Sequence, residues 1–451
     1  MKIIVIGCGK IGKTIIEHVS KEGHSLVIVD NNREKVEELI ERYDVMGVVG
    51  NGASLDIQEE AGVKSADLVI AVTPEDEINI LASMVAKKLG ASSTIARVRN
   101  PEYLRQTKLM QEELGLSMVV NPEQETADEI INMVNLPSLL KLEPFAKGKV
   151  NLVEILVEEN NPLIGETLIT MSKKIKTKVL ICAIQRASYV IIPNGNFKIE
   201  QGDRLSITAN ASSLVTFLKE LNLIKSPLKN IMIIGGGKIS YYLAKELSNK
   251  KYHIKLIEMN KNRAEEMAEA LPKVDVICGD GTDHDLLIEE GIEASDACIA
   301  LTNVDEENII VSMYATRLKI KKVIAKIKRN SFLTMVNDLG IASIVSPKDI
   351  VASKIISYIR ALSNKRGSNV LTLYKLVNNQ VEALEFDAKK KEKFYNKPLK
   401  DLNIKENCLI ACIIRDGNVL IPSGNDCIQL NDRVLVVTTH QQFDDLMDAF
   451  E

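Results

Sequence analysis

The 451-residue chain repeats itself. Gly7, in Ile3-Ile4-Val5-Ile6-Gly7-Cys8-Gly9-Lys10-Ile11-Gly12, returns as Gly235 in Ile231-Met232-Ile233-Ile234-Gly235-Gly236-Gly237-Lys238-Ile239-Ser240, an offset of 228 residues (235 − 7). Asp30 returns as Glu258 at the same offset, and Gly50, Asn79 and Pro193 return as Gly279, Asn308 and Pro422 at 229. One inserted residue between Glu258 and Gly279 reconciles the whole register. A register held over so much of the chain marks an internal duplication. Whatever the first half folds into, the second must fold into as well.

The first part of each half alternates helical and strand-like periodicities. Strands are predicted near 2–6, 25–29, 45–49, 67–72, 93–98 and 117–120, with helices at 32–43, 75–89 and 102–114. Alternation of this kind builds a parallel sheet with helices on both faces, and such sheets bind ligands beyond the carboxyl ends of their strands. From about residue 151 the texture changes. Strands at 152–157, 178–185, 189–192 and 204–209, turns at Pro193-Asn194-Gly195 and Gln201-Gly202-Asp203, and a helix at 212–221 describe a small α+β module. After a linker at Lys225-Ser226-Pro227-Leu228 the pattern restarts. The fold class is α/β: two Rossmann-like doubly wound parallel sheets, each followed by a small module. The four units are placed at 1–145, 146–224, 225–365 and 366–451.

The glycines at 7, 9 and 12 have the G-x-G-x-x-G spacing of a dinucleotide loop. Gly7 permits the tight turn, Gly9 lets a diphosphate approach the backbone, and Gly12 lets helix and strand pack closely. The backbone from Cys8 through Lys10 and Ile11 then leads into a helix whose free N–H groups and dipole favour an anion. Asp30 closes the second strand roughly 20 residues on, where a carboxylate accepts ribose hydroxyls and repels a 2′-phosphate, so NAD(H) is favoured over NADP(H). Loop and acid meet only adenosine and diphosphate and do not separate NAD(H) from ATP or ADP.

Positions kept in both halves extend the candidate site. Gly50-Asn51-Gly52-Ala53-Ser54 matches Gly279-Asp280-Gly281-Thr282-Asp283 where an adenosine could lie, which makes Asn51 a candidate. Thr73 and Thr302 follow the fourth strand as helix caps or phosphate contacts. Arg97 and Arg99 match Lys326 and Lys328. A guanidinium at Arg97 offers a bidentate fork to an outer phosphate, or it pairs with a surface carboxylate. In the second half the corresponding residues are Gly235, Gly237, Lys238, Ile239 and Glu258. Ser240 replaces the third glycine there, and it crowds the helix–strand contact or the diphosphate. The two halves are therefore expected to bind ligand unequally.

Composition limits the alternatives. A net charge of −4 without a tail of like charges argues against a nucleic-acid binder. Lys389-Lys390-Lys391 with Lys393 reads as a solvated face. No run of about 18 apolar residues and no leader pattern is present, so a cytosolic protein is expected. Seven cysteines without C-x-x-C spacing fit reduced thiols, and Cys408 and Cys412 fit core packing. His18, His24, His253, His284 and His440 form no metal or nucleophile motif, so no catalytic residue and no metal site is assigned.

The order GCGKIG with Asp30, GNGAS, TPEDEIN and then a degenerate second copy resembles the TrkA family, the cytosolic regulatory subunits of Trk potassium-uptake systems. Each sheet with its small module is similar to an RCK unit, RCK_N (TrkA-N) followed by RCK_C (TrkA-C). The resemblance spans essentially the whole chain. It implies a non-enzymatic gating subunit that binds NAD(H) and/or ATP/ADP at Gly7, Gly9, Gly12 and Asp30, with Arg97 as the phosphate contact. It further implies a homotetrameric ring on the cytosolic face of the membrane beneath a TrkH-type potassium-translocating subunit. Two other readings stand beside it: an NAD-dependent oxidoreductase, and a sensor whose small modules bind a different ligand.

Overall fold

The duplication is visible as two sheets of identical topology. In the computed structural model all residues are described except 136–138, 146–149, 188, 222, 224–227, 251, 330, 333–335, 337, 338, 340, 342, 365–369, 377–380, 390, 391, 440–442 and 444. The predicted linker residues Lys225, Ser226 and Pro227, the cluster lysines Lys390 and Lys391, and His440 lie outside the described residues. Strands β1 (Lys2–Ile6), β2 (Ser25–Asp30), β3 (Met46–Val49), β4 (Leu68–Ala71), β5 (Ser93–Arg97) and β6 (Met118–Val120) form a sheet of order β3-β2-β1-β4-β5-β6. Every pairing in it is parallel. The central strands are apolar throughout because helices cover both faces; Ile3, Ile4 and Val5 are fully buried.

A small antiparallel sheet follows, made of β7 (Leu139–Phe145), β8 (Val150–Leu156), β9 (Leu180–Arg186), β10 (Tyr189–Ile191) and β11 (Arg204–Ala209). Its order is β10-β9-β11-β8-β7. The second half repeats the large sheet with β12 (Asn230–Ile234), β13 (His253–Glu258), β14 (Asp275–Cys278), β15 (Ala297–Ala300), β16 (Lys322–Lys326) and β17 (Ser343–Val345), in the order β14-β13-β12-β15-β16-β17. It repeats the small one with β18 (Val370–Leu376), β19 (Val381–Asp387), β20 (Cys408–Arg415), β21 (Asn418–Leu420) and β22 (Arg433–Thr438), in the order β18-β19-β22-β20-β21.

The structure adds to and corrects the sequence reading. The single helix expected at 102–114 is two short ones, Pro101–Leu104 and Thr107–Glu112. Strand β7 went unread because Pro144 interrupts its pattern, and proline is tolerated there because β7 is an edge strand. Cys408 and Cys412 lie in β20, buried, as expected of core residues.

The largest unread feature is a pair of exchanged helices. Helix Pro122–Asn135 follows β6, capped by Asn121, whose Oδ1 accepts from the amides of Glu123 (2.9 Å) and Gln124 (3.1 Å). Its buried Ala127, Ile130, Ile131 and Val134 lie in the core of the second half, with Ile233, Leu243 and Leu256. Helix Pro347–Asn364 makes the reciprocal visit. Its Val351, Ala352, Ile355 and Ile359 lie in the first half's core with Ile3, Ile15 and Ile28. An ion pair between Arg360 and Glu22 holds it there. The two small sheets also share a core, in which Leu152, Cys182 and Ala183 pack with Ala383, Ala411 and Cys412. Within each small module an arginine and a buried aspartate form a bidentate pair, Arg186 with Asp203 and Arg415 with Asp432, at 2.8–2.9 Å.

Because Ile355 is fully buried in a core built by the other half, Ile355→Ala is expected to cost about 2–5 kcal/mol. The loss should fall on the first half: hydrogen exchange of the β1 amides speeds up, although the substitution lies more than 300 residues from β1.

Candidate nucleotide site

The loop after β1 leaves the sheet where β1 and β4 diverge to opposite sides in connectivity, the position at which doubly wound sheets bind ligands. Gly7 has φ +102°, and a Cβ on it would stand 2.8 Å from the Thr73 amide nitrogen. A Cβ on Gly12 would stand 2.0 Å from the Gly7 carbonyl oxygen. Gly9 is different: no protein atom lies within 4 Å of its Cβ position, so its glycine character leaves open space above the loop. Gly9 is also the N-cap of helix Lys10–Val19, with no side-chain cap bond and no acidic residue in the first turn. The N-terminus therefore faces that space with its amides and positive dipole end uncompensated.

Of the loop side chains, Cys8 is fully buried and Ile11 is part of the core, so only their backbones can face a ligand, whereas Lys10 is exposed. Burial pushes the Cys8 thiol up to about 12. Asp30 ends β2 half-exposed. Its Oδ2 accepts from the Cys8 amide at 2.7 Å and its Oδ1 from the Asn32 amide at 2.9 Å, which fixes the carboxylate beside the loop with lone pairs to spare. Asn51 is exposed, and its side chain closes a local turn to the Ala53 amide at 3.0 Å.

Thr73 does not cap the following helix: the N-cap of Asp76–Leu89 is Glu75. The Thr73 hydroxyl instead donates toward Asn79 Oδ1 (2.8 Å) and the Glu75 carbonyl (3.2 Å). The buried Asn79 is the residue that sequence reasoning recorded without a role. It accepts from the Thr73 amide at 2.8 Å and donates to the Thr73 and Arg97 carbonyls at 3.0 and 2.9 Å, tying the ends of β4 and β5 together. Asp76 adds a second tie, accepting from the Arg99 and Asn100 amides at 2.8 and 2.7 Å. Both had a signal in the sequence, since they recur as Asn308 and Asp305 with the same bonds.

Arg97 ends β5, which β4 separates from β1 in the sheet. It makes no ion pair with a surface carboxylate among the described residues. Its terminal nitrogen donates to the Pro74 carbonyl at 3.0 Å, and its Nε is buried without a partner. Burial first, and then the charge of Arg99, hold its guanidinium below the usual range. The arginine that does find a carboxylate is Arg99, whose Nε donates to Glu123 Oε1 at 2.6 Å.

The matching proteins agree with this architecture. The TrkA-N domain model matches residues 3–122 and 231–347, and the TrkA-C domain model matches 152–222 and 384–451. A Trk system potassium uptake protein TrkA from Vibrio alginolyticus is 33% identical over 98% of this chain and 97% of its own. The chain belongs to the TrkA family. Among solved structures, the GsuK channel bound to NAD covers 97% of this chain and 76% of its own at 18% identity, with TM-score 0.63. GsuK bound to ADP covers 81% and 69% at 17% identity, with TM-score 0.51. At those identities the likeness is one of fold.

This TrkA-family chain holds a second, altered copy of the site. Gly237 again has open space, and helix Lys238–Ser248 again starts without a side-chain cap; Lys238 is exposed and Ile239 buried. Gly235 repeats the turn of Gly7 with φ +97°. Ser240, fully buried, donates its hydroxyl to the Gly235 carbonyl, so it fills the helix–strand contact rather than the anion-facing side. Glu258 reaches the Gly236 amide at 2.5 Å and the Asn260 amide at 2.8 Å, and Arg263 Nε donates to the Gly236 carbonyl at 2.9 Å. Lys326 replaces Arg97 but is buried, with Nζ donating to the Leu301 carbonyl at 2.8 Å, and burial lowers its amine to about 8. Among the described residues no helix is long and apolar enough to cross a membrane, and no cluster of His, Cys, Asp and Glu has the makings of a metal site.

Two expectations follow. Gly12→Ala should destabilise the fold by about 1–3 kcal/mol through overpacking, whereas Gly9→Ala should leave the melting temperature nearly unchanged, as a thermal melt of each variant will tell. Lys326 has a folded value of about 8 against an ordinary 10.5, so its buried charge penalises folding fully below pH 8 and not at all above 10.5. Lys326→Met should therefore stabilise the protein at pH 7, and that gain should shrink as pH rises from 8 to 10.5 in denaturant titrations.

Proposed function

We propose that this chain is the regulatory subunit of a Trk potassium-uptake system, reading adenine nucleotides with its first half and passing their state to a TrkH-type membrane subunit. The observation that carries the reading is the open helix N-terminus at Gly9, flanked by the fixed Asp30 carboxylate on one side and by Arg97, with its partnerless Nε, on the other. In this reading the diphosphate lies over Gly7, Gly9 and Gly12 on the amides of Lys10 and Ile11. Asp30 takes the ribose hydroxyls, and Asn51 and Thr73 border the ligand. NAD(H) and ATP or ADP share all of these contacts.

A third phosphate adds charge on the side of Arg97, which a guanidinium can meet with two parallel bonds. A ligand shifts an assembly only through a difference in its affinity for two arrangements, and Arg97 supplies such a difference between ATP and ADP. In the second half, Gly235, Gly237, Lys238, Ile239 and Glu258 hold a nucleotide differently, because the cation at Lys326 is spent on a backbone carbonyl. The proposal includes the four-unit division at 145, 224 and 365, a homotetrameric ring, and a location at the cytosolic face of the membrane through the channel partner.

Arg97→Ala should abolish the difference between ATP and ADP, both in equilibrium binding to the purified chain and in potassium flux through the reconstituted membrane subunit. An ATP/ADP difference that survives this substitution sinks the assignment of Arg97. Absence of any bound or copurifying adenine nucleotide sinks the proposal as a whole.

A further inference from the structure

The two exchanged helices are fastened at the same place by different chemistry. Arg360 stands as far after Pro347 as Asn135 does after Pro122, thirteen residues in each case (360 − 347 and 135 − 122), so the two positions are equivalent. Each meets the loop that enters the second strand of the other half. Asn135 Oδ1 accepts from the hydroxyl of Tyr252, the residue before β13, at 3.1 Å. Arg360 Nε donates to Glu22 Oε1 at 3.1 Å and Oε2 at 3.3 Å, and a terminal nitrogen pairs with the same carboxylate. The residue before β2, at the position that Tyr252 holds in the copy, is His24. Glu22 is answered in the copy by Lys250, which pairs at 3.1 Å with Glu246 of its own preceding helix and not with the exchanged one.

His24 is built into the charged fastening. Its side chain is 12% exposed and its Nε2 lies 3.9 Å from Glu22 Oε2, so imidazole and guanidinium share one carboxylate. Among the described residues, the other charged groups facing the ring are the amino terminus and Asp67, which accepts from the Lys2 amide at 2.8 Å. The Met1 carbonyl accepts from the Ser25 amide at 2.9 Å and Met1 Sδ from the Ser363 hydroxyl at 3.3 Å, which holds the amino terminus against the end of the same helix. Burial first, and then the positive amino terminus, hold the His24 imidazole below its ordinary value; Arg360 adds to them, while Glu22 and Asp67 oppose. The neutral ring is the form that the fold favours. In the other fastening an amide meets a hydroxyl, and acid adds no charge to either.

We propose that Glu22, His24 and Arg360 form a pH-sensitive latch between the halves, in which acidification loosens the helix Pro347–Asn364 and leaves the helix Pro122–Asn135 in place. A proton on the ring makes His24 a further cation beside Arg360 and the amino terminus. The imidazolium competes for Glu22 and repels Arg360. Because the folded chain binds this proton less readily than the unfolded chain, the latch contributes in full above the ordinary histidine value of 6.5 and weakens as pH falls below it. Ile355 and Ile359 stay packed in the first half's core, so acid loosens the last turns of the helix and does not eject it. Those turns lead to β18 of the second small module, whereas the helix indifferent to acid leads to β7 of the first. Acid thus acts on one small module and spares the other. The inference is independent of the nucleotide reading, since the latch lies at the start of β2 and the glycine loop at the end of β1.

The test is hydrogen exchange of the full-length chain, read by mass spectrometry at about pH 7 and about pH 5, on either side of the histidine transition, with rates corrected for the intrinsic effect of pH on exchange. Peptides from 355–364 should exchange about fivefold faster at the lower pH, the scale of losing one ion pair near the surface. Peptides from 122–135 should keep one rate and serve as the control within the same molecule. His24→Gln puts a side chain that acid cannot charge in the same place, and 355–364 should then exchange at one rate at both pH values. If His24→Gln fails to fold, Arg360→Met removes the other cation. Its helix should exchange faster already at the higher pH and gain nothing at the lower, because a charged His24 then has no rival for Glu22. An equal acid response in both helices, or none in 355–364, overturns the proposal, as does an acid response of 355–364 that survives in either variant.

Discussion

The exchange of two helices between the halves is the constraint on which the remaining structure depends. A parallel sheet needs both faces covered, because its central strands are apolar on both sides. In each half part of one cover is supplied by the other: Ile130 and Ile131 complete the core around Ile233, and Ile355 and Ile359 complete the core around Ile3. Burying side chains of this size contributes roughly 1.5–3 kcal/mol apiece, so neither core is whole without its neighbour's helix. The duplication therefore did more than double a domain. It made two nucleotide-type folds into one cooperative body, and it placed the outlet of each sheet's last strand directly against the partner half.

That placement explains where the copies have stayed alike and where they have diverged. Asn79 and Asn308 bind the same three backbone atoms in each half, and Asp76 and Asp305 receive the same pair of amides. These groups hold the ends of adjacent strands in position, a task that does not depend on what the cleft contains. The residues that would meet a ligand have changed instead. Arg97 keeps an unpaired nitrogen while Lys326 is committed to the Leu301 carbonyl, and Asp30 is replaced by the longer Glu258, which holds the amide of Gly236 as Asp30 holds that of Cys8. Scaffold and reading head have separated in the sequence because they answer to different physical demands.

Much of this was legible before any coordinates. The 228–229 offset, the G-x-G-x-x-G spacing and the acid after the second strand carry local information, since turn geometry and apolar runs are properties of short segments. The sheets, their duplication and the weaker resemblance of the second site to the first all follow from them. What stayed hidden was long-range. Nothing in the periodicity of 122–135 says that its apolar stripe faces residues more than 100 positions away, and Pro144 masks β7 because its tolerance depends on an edge position that only the assembled sheet defines. Of the two alternatives open for Thr73, the helix cap falls away for a related reason: the N-cap is Glu75, and the threonine hydroxyl is used by a side chain six residues on.

The same distinction bears on how a binding event could be felt far from the loop. A rigid β5 end, fixed by Asn79 and Asp76, cannot itself move when a phosphate arrives, because its backbone bonds are satisfied and costly to break. The side chains at that end can, since Arg97 and Arg99 reach past the clamp and only one of them is neutralised by a carboxylate. Among the described residues, the groups beside those two arginines include Asp76, the Pro74 carbonyl and Glu123. Of these, Asp76 belongs to the clamp, and the Pro74 carbonyl is backbone. Glu123, which takes the Arg99 bond, sits on the exchanged helix, whose core contacts are in the other half.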